Sequence, residues 1–218
     1  MVFIQKFDAS AVLFILSGLW STILLSLIAF GVGGLVGLLV ALLRTSGIKP
    51  LEKLATAYID FFQGTPMLLQ LFLAYYGLPL LGLRVSPWVA VTVGLMLHAS
   101  AYLGEIWRGG IQAVPKGQSE AASALGLSYY HRLKSVVLPQ AIRLSLAPTV
   151  GFSVQLIKGT SLAAIIGFVD LTRSAQIVSS TTYQPLLAYG VAGVFYFALC
   201  FPLSYFSAQL AKKYNQAS

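Results

Sequence analysis

The side chains that could carry chemistry are few, and they stand apart from one another in apolar stretches. Asp60, His98 and Glu105 lie inside long hydrophobic segments, where an ionisable group is costly and usually marks a functional position. His98 has neither a second histidine nor a carboxylate at ligand spacing, so a packed, hydrogen-bonded or path-lining imidazole is expected there. No serine constellation and no histidine-carboxylate cluster suggests an active centre. The sequence therefore predicts neither a metal site nor an enzyme.

Glu105 and Arg108 are three residues apart, which places them on one face of a helix. A carboxylate inside a membrane segment usually faces the interior or a partner. We therefore interpret the two residues as a structural ion pair. Direct contact of Glu105 with a substrate is the alternative.

One polar segment interrupts the apolar chain from Val114 to Val137 and closes on Leu138-Pro139. Alanines at positions 121, 122 and 124 beside Glu120 favour a short helix over about 115–125, and Gly126 is well placed to end it. Such a helix would form a rigid peg. A membrane-interface helix without a partner explains the aromatic and basic residues that follow. It does not explain the ordered spacing of Glu120-Ala121-Ala122, Gly126 and Leu138-Pro139.

The elements that position these residues are membrane helices. The chain has 218 residues, of which 57% are hydrophobic and 9% charged, and its mean hydropathy is +0.82. A spanning helix needs about 20 mainly apolar residues. The first apolar run is too long for a signal peptide and no basic segment precedes it. We predict an all-α protein with five transmembrane helices at about 11–43, 54–81, 88–110, 136–157 and 186–210.

The basic residues give the orientation of this five-helix topology. Ten of the fourteen Lys and Arg residues fall in loops on one side, and positive charge collects in the cytoplasm. We therefore predict an N-terminus outside and a C-terminus inside. The net charge of +8 reflects this asymmetry, and no basic surface interleaved with aromatic residues suggests a nucleic acid partner.

Several polar residues within the spans are candidates for lining a substrate path. Thr65-Pro66 must interrupt the hydrogen-bond ladder of the second span, and irregular backbone at membrane depth is tolerated beside protein or a water-filled cavity. A kink satisfied by neighbouring helices is the competing interpretation. A short gate helix is expected after the fourth span, near Asp170. The path candidates are Gln63, Thr65, His98, Thr160 and Ser161.

The order of the polar segment resembles a known pattern: E-A-A, three residues, G, nine residues, a β-branched aliphatic, one residue, L-P. This is the cytoplasmic coupling loop of permease subunits of binding-protein-dependent ABC importers. Three further stretches resemble the polar amino-acid branch of that family, the histidine, arginine, lysine, glutamine and glutamate type. They begin at Gln63-Gly64-Thr65-Pro66, at Tyr102 and at Gln155.

The resemblance implies a single permease domain over residues 1–218 with the type I importer fold and a coupling loop at 114–135. It implies uptake of polar L-amino acids by alternating access, in the bacterial cytoplasmic (inner) membrane. The implied partners are an ABC ATPase dimer, a second permease that is the same chain or a sister subunit, and an extracytoplasmic amino-acid-binding protein. The implied coupling residues are Lys116, Gly117, Glu120, Ala121, Ala122, Leu125, Gly126, Leu138 and Pro139.

The energy source is expected to lie outside this chain. No G-x-x-x-x-G-K-[ST] phosphate loop occurs in the sequence, so we expect no cofactor here, with ATP and Mg bound by the partner ATPase. An ion-coupled secondary transporter is the alternative function. Many relatives in the resembling family carry an acidic residue where this chain has Gly159, which weakens any expectation of arginine-like cargo.

Overall fold

A computed structural model describes residues 6–215, and over that range the chain is helical with no β-strand. Four of its helices are long and apolar enough to cross a membrane, namely Ala9–Arg44, Pro87–Gln112, Tyr129–Ile166 and Pro185–Tyr214. This confirms the all-α membrane architecture. The helices are α1 (Ala9–Arg44), α2 (Lys49–Gly64), α3 (Met67–Leu80), α4 (Pro87–Gln112), α5 (Lys116–Ala124), α6 (Tyr129–Ile166), α7 (Leu171–Thr182) and α8 (Pro185–Asn215).

Side-chain caps fix where several helices begin. Asp8 accepts hydrogen bonds from the backbone N–H groups of Ser10 and Ala11 at the start of α1, at 2.9 and 3.2 Å. Asp170 accepts one from Arg173 N–H at 2.8 Å at the start of α7. These carboxylates satisfy N–H groups that have no partner within the helix.

The predicted second span, 54–81, is two helices. Thr65 and Pro66 adopt extended backbone, with φ/ψ of −115°/144° and −62°/133°, between α2 and α3. The proline ring removes a donor and disfavours helical geometry in the preceding residue, so the predicted break at this dipeptide is confirmed. Neither piece alone meets the length and apolarity of a spanning helix. Five crossings therefore remain a prediction.

The fourth predicted span, 136–157, is the middle of the longer helix α6. A π-turn over Leu133–Val137 precedes its regular part, and its last residues, Thr160–Ile166, form a 3-10 turn. The chain then turns through Gly167, whose φ is 87°, into α7. The sequence predicted a short apolar piece at residues 165–168 and a short gate helix near Asp170. Helix α7 begins at Leu171, so a helix is present there, and its role as a gate stays a prediction.

Helices α1 and α4 pack closely through small residues. A β-carbon at Gly33 would lie 2.8 Å from both Ala99 Cβ and Met96 O, and one at Gly37 would lie 2.9 Å from Ser100 O. Only glycine permits this backbone approach. Residues later in α1 contact residues later in α4, so the two helices are parallel. Their C-terminal ends therefore lie together, as do the loops that lead into α2 and α5.

Four buried apolar clusters hold the bundle together; two small ones join α1 to α2 and α6 to α8, and two are larger. The largest joins α1, α3, α4 and α6 and includes Leu25, Leu71, Leu95 and Leu156, each at most 2% exposed. The second joins the N-terminal part of α1 to α7 and α8. The bundle thus holds α5 at one end and the α2–α3 break beside α4.

Candidate functional sites

The polar segment contains a short helix with a specific C-terminal cap. Helix α5 ends at Ala124, and Gly126 has a φ of 79°, the left-handed conformation that L side chains rarely adopt. The N–H of Leu127 donates to Ala122 O at 3.1 Å, and the N–H of Gly126 donates to Ser123 O at 3.0 Å. This pair of bonds is the Schellman motif. The predicted helix and its glycine cap are confirmed.

Helix α5 presents most of the predicted coupling residues on its free surface. Lys116, Gly117, Glu120 and Ala121 are exposed, and Leu125, which follows the helix, is 81% exposed. The opposite side of the helix packs on the beginning of α6. A single exposed leucine is common on protein surfaces, so the docking role of this helix stays a prediction.

Ala122 differs from its neighbours because it is buried, with only 5% of its surface exposed. Its methyl group faces the protein, and its carbonyl accepts the bond that closes the cap. In this structure Ala122 therefore packs the short helix against the rest of the chain, and its contact with a partner stays a prediction.

Leu138 and Pro139 do not lie on α5. They begin the regular part of α6, directly after the π-turn, where proline is tolerated because its missing N–H is not needed. Pro139 is exposed and Leu138 is half-buried. The final L-P of the sequence pattern thus lies near the start of the long helix α6, against which α5 packs.

The break between α2 and α3 is closed by Gln70, a buried residue that is 5% exposed. Its Nε2 donates to Phe62 O at 2.8 Å, and lies 2.9 Å from Thr65 Oγ1 and 3.1 Å from Thr65 O. Carbonyls at a helix end need such partners where water is excluded. The sequence interpretation did not single out Gln70. A long amide five residues after a predicted break was the available signal.

His98 extends this polar cluster toward the centre of the bundle. Its Nδ1 lies 2.9 Å from Gln70 Oε1. Because Gln70 Oε1 accepts only, we assign the imidazole proton to Nδ1, which makes His98 the donor. The ring stacks on Tyr102 at 4.5 Å, and Tyr102 stacks on Phe152 at 5.4 Å. His98 is packed and hydrogen-bonded, as two of the three predicted alternatives require, and its path-lining role stays a prediction. Thr65 and His98 are joined through Gln70.

The other path candidates are placed differently. Gln63 is exposed on α2, and Ser161 is half-buried with its hydroxyl donated to Lys158 O at 2.6 Å. Thr160 is fully buried and donates to Ile157 O at 2.8 Å. Thr160 is thus a packing residue in this structure, because the 3-10 turn directs it inward.

Gly159 lies directly against Met67 of α3. A β-carbon at this position would lie 2.7 Å from Met67 Cε and 2.8 Å from its Sδ. The methionine thioether therefore fills the space that a larger side chain at position 159 needs. A carboxylate at this position requires Met67 to move.

The predicted pair of Glu105 and Arg108 is present. Arg108 Nε donates to Glu105 Oε2 at 2.7 Å and Nη2 donates to Oε1 at 2.5 Å, and Nη1 also contacts Gln112 Oε1. This bidentate arrangement neutralises both charges. The other carboxylate in the predicted spans, Asp60, is exposed on α2 and forms no ion pair within residues 6–215.

Comparisons with known proteins place this arrangement in a family. The model of the family described as "Binding-protein-dependent transport system inner membrane component" matches residues 33–216. The chain is 36% identical over 213 residues to the probable amino-acid ABC transporter permease protein YckA of Bacillus subtilis (strain 168), covering 98% of this chain and 94% of that protein. It is 37% identical over 203 residues to the probable glutamine ABC transporter permease protein GlnM of the same organism, covering 91% and 94%.

Solved structures share the fold. A chain from an amino acid ABC transporter, crystallised with histidines, superposes with a TM-score of 0.86 at 36% identity, covering 92% of this chain and 94% of that one. A chain of the inward-facing MetNI methionine ABC transporter superposes with a TM-score of 0.75 at 18% identity, covering 95% and 99%, and supports the fold alone. The chain therefore belongs to the binding-protein-dependent transport system inner membrane component family, the permeases of ABC transporters.

Proposed function

We propose that this chain is the transmembrane permease of an ATP-driven importer of polar L-amino acids in the bacterial cytoplasmic membrane. The observation that carries the proposal is helix α5, a capped and exposed peg with Leu125 at its tip. Family membership and relatives with names such as glutamine and arginine transport permeases support the same reading.

Helix α5 would couple this chain to a separate ATPase. A rigid helix transmits displacement, and α5 packs on α6, whose far end approaches the gate region at residues 160–170. ATP-driven closure of an ATPase dimer would draw two such pegs together, one from this chain and one from a second permease. The displacement would reach the outer side through α6 as a rigid element. ATP and Mg would be bound by the ATPase.

The substrate path would run beside the α2–α3 break. Gln63 and Asp60 are exposed on α2, and the Thr65–Gln70–His98 cluster lies behind them. A polar substrate loses hydrogen bonds to water when it enters the membrane. Polar side chains along the path replace some of those bonds, so the free energy of desolvation is lower than it would be between apolar side chains. Gly159 contributes no carboxylate to the path, and Met67 fills the space beside it. We infer that position 159 does not select cationic amino acids.

An external binding protein would deliver the amino acid, and the N-terminus would lie on its side of the membrane. The C-terminal ends of α1 and α4 lie together, as five crossings require, and the basic residues concentrate near that end. An ion-coupled transporter is less well supported, because the family found here consists of binding-protein-dependent systems.

Reconstitution tests the proposal. The chain, co-purified with its accompanying ATPase and second permease, is placed in proteoliposomes with the binding protein outside and ATP inside. We expect uptake of labelled glutamine that requires both ATP and the binding protein. Uptake driven by a proton or sodium gradient in the absence of ATP, or purification with no ATPase, would overturn it.

A further inference from the structure

The first turns of α6 carry two tyrosines and two basic residues, Tyr129, Tyr130, Arg132 and Lys134, which we call the basic surface. Both tyrosines are 62% exposed. The guanidinium of Arg132 lies 5.5 Å from the centre of the Tyr129 ring, and the ammonium of Lys134 lies 5.7 Å from the centre of the Tyr130 ring. Cation–π contacts at these distances hold the two charges beside the exposed rings.

Acidic residues of this chain do not balance these charges. Glu120 is the one acidic residue between Glu105 and Asp170 in the sequence. Within residues 6–215 the one salt bridge joins two residues of α4, so neither Arg132 nor Lys134 has a carboxylate partner there. A partner with carboxylates on its surface would complement both charges.

The length of α6 puts the start of the basic surface beyond the lipid headgroups. Residues 144–157 carry no charge and lie between two exposed basic residues, Arg143 and Lys158. A helix rises about 1.5 Å per residue, so a hydrocarbon core of about 30 Å centred on this segment ends near residue 140. Headgroups add roughly 5–8 Å on that side, and Arg132 lies about 12 Å past the end of the core. The first turn of α6 is therefore surrounded by the aqueous phase.

The direction of one side chain and the position of α5 agree with this placement. The Lys134 ammonium reaches Tyr130, which lies about one helical turn further from the membrane. A lysine that served the headgroups would extend toward the membrane instead. Helix α5 packs on this same part of α6, and the exposed Leu125 precedes Tyr129 by four residues. The basic surface thus continues the free surface of the peg.

We propose that the basic surface docks on an acidic surface of the ATPase, beside the groove that would take α5. The inference rests on the proposed function, because it assigns a second contact with the same partner. Tyrosine and arginine are enriched where proteins contact each other, and charges at the rim of an interface set its association rate and salt dependence. Helix α5 would transmit the displacement, and the basic surface would orient the ATPase on it.

Charge reversal tests the proposal. Arg132→Glu and Lys134→Glu are introduced together into the full-length chain, and the ATPase is titrated onto the permease pair in phosphatidylcholine nanodiscs at low and at high salt. We expect the dissociation constant to rise roughly tenfold at low salt, as two ion pairs become like-charge contacts. The difference should narrow at high salt, because salt screens exposed charges. Phosphatidylcholine has no net charge, so anionic lipid does not contribute.

The C-terminal end of α8 offers a matched control. Lys212→Glu with Lys213→Glu reverses the same number of charges, and the Lys213 ammonium also lies 5.7 Å from a tyrosine ring centre, that of Tyr214. We expect this pair of substitutions to leave the affinity unchanged. The milder pair Arg132→Gln and Lys134→Gln preserves side-chain size better and should weaken binding roughly threefold, about half of the full reversal on a logarithmic scale.

Two results would overturn the proposal and leave the proposed function intact. One is an unchanged affinity in the reversed variant, or an equal loss in the α8 control. The other is a loss that occurs only in nanodiscs that contain phosphatidylglycerol, which would make lipid the partner of the basic surface. A permease pair of unchanged sequence that binds no ATPase would contradict the proposed function as well.

Discussion

Gly126 controls the shape of the peg, because its left-handed backbone closes the Schellman motif that ends α5. A β-branched side chain in this conformation costs about 1–2 kcal/mol, and the chain would leave the motif to relieve it. The exposed Leu125 would then change position. Space does not limit the substitution, since a β-carbon at Gly126 meets no atom within 4 Å.

Gly126→Val should therefore uncouple the transporter without preventing membrane insertion. We expect loss of substrate-stimulated ATP hydrolysis in the assembled complex, measured with the binding protein present. Gly82→Val is the matched control, because Gly82 has a φ of 82° and equally open surroundings but lies far from α5 in the sequence. Full stimulation in Gly126→Val, or equal loss in both variants, would contradict the docking role of the peg.

Gln70 satisfies the broken backbone between α2 and α3 and orients His98. Gln70→Ala would leave a buried carbonyl and the imidazole N–H without a partner, which costs about 1–3 kcal/mol. We expect a lower midpoint of thermal unfolding in detergent. Gln155→Ala is the control, because Gln155 is exposed on α6. An unchanged midpoint in Gln70→Ala would mean that water replaces the amide.

Among the helices, α2 carries the polar face that the substrate path would use, and the 3-10 end of α6 contacts α3. Gln63 is exposed, Ser161 is half-buried, and Thr160 between its neighbours is fully buried. The three positions therefore differ in access although the sequence suggested the same role for them. This contrast makes the path proposal testable.

Single cysteines at these positions measure that access. In a Cys200→Ser background, which removes the one native cysteine, Gln63→Cys and Ser161→Cys should react with a water-soluble thiol reagent in the assembled transporter. Thr160→Cys should be protected, because its side chain has no exposed surface. Protection of Gln63→Cys and Ser161→Cys in every transport state would assign both residues to packing.

For the molecule as a whole, the distribution of basic residues predicts which side of the membrane holds α5. The proposed topology puts the C-terminus after α8 in the cytoplasm, on the same side as α5. We expect a C-terminal fusion to alkaline phosphatase to be inactive and a fusion to green fluorescent protein to fluoresce. The opposite pattern would place α5 outside, where no ATPase can reach it.

Local patterns in the sequence account for much of this molecule. Apolar runs longer than a bilayer's thickness predicted the four long helices, Thr65-Pro66 predicted the break, and the alanines before Gly126 predicted α5 and its cap. The Glu105–Arg108 pair followed from helical spacing. Each depends on neighbours within a few residues, where backbone geometry and hydrogen bonding are decided locally.

Contacts between distant segments were decided only by the tertiary structure. The sequence did not distinguish buried Ala122 from exposed Ala121, nor buried Thr160 from Ser161, because burial depends on which helix packs alongside. Gln70 meets His98 across 28 positions of sequence, and Met67 meets Gly159 across a longer gap. The sequence by itself determined the helices, the break and the peg. Tertiary packing decided which of their side chains remain exposed to a partner or a substrate. Helix propensity is the same for every side of a helix, and only the neighbouring helices determine which side is buried.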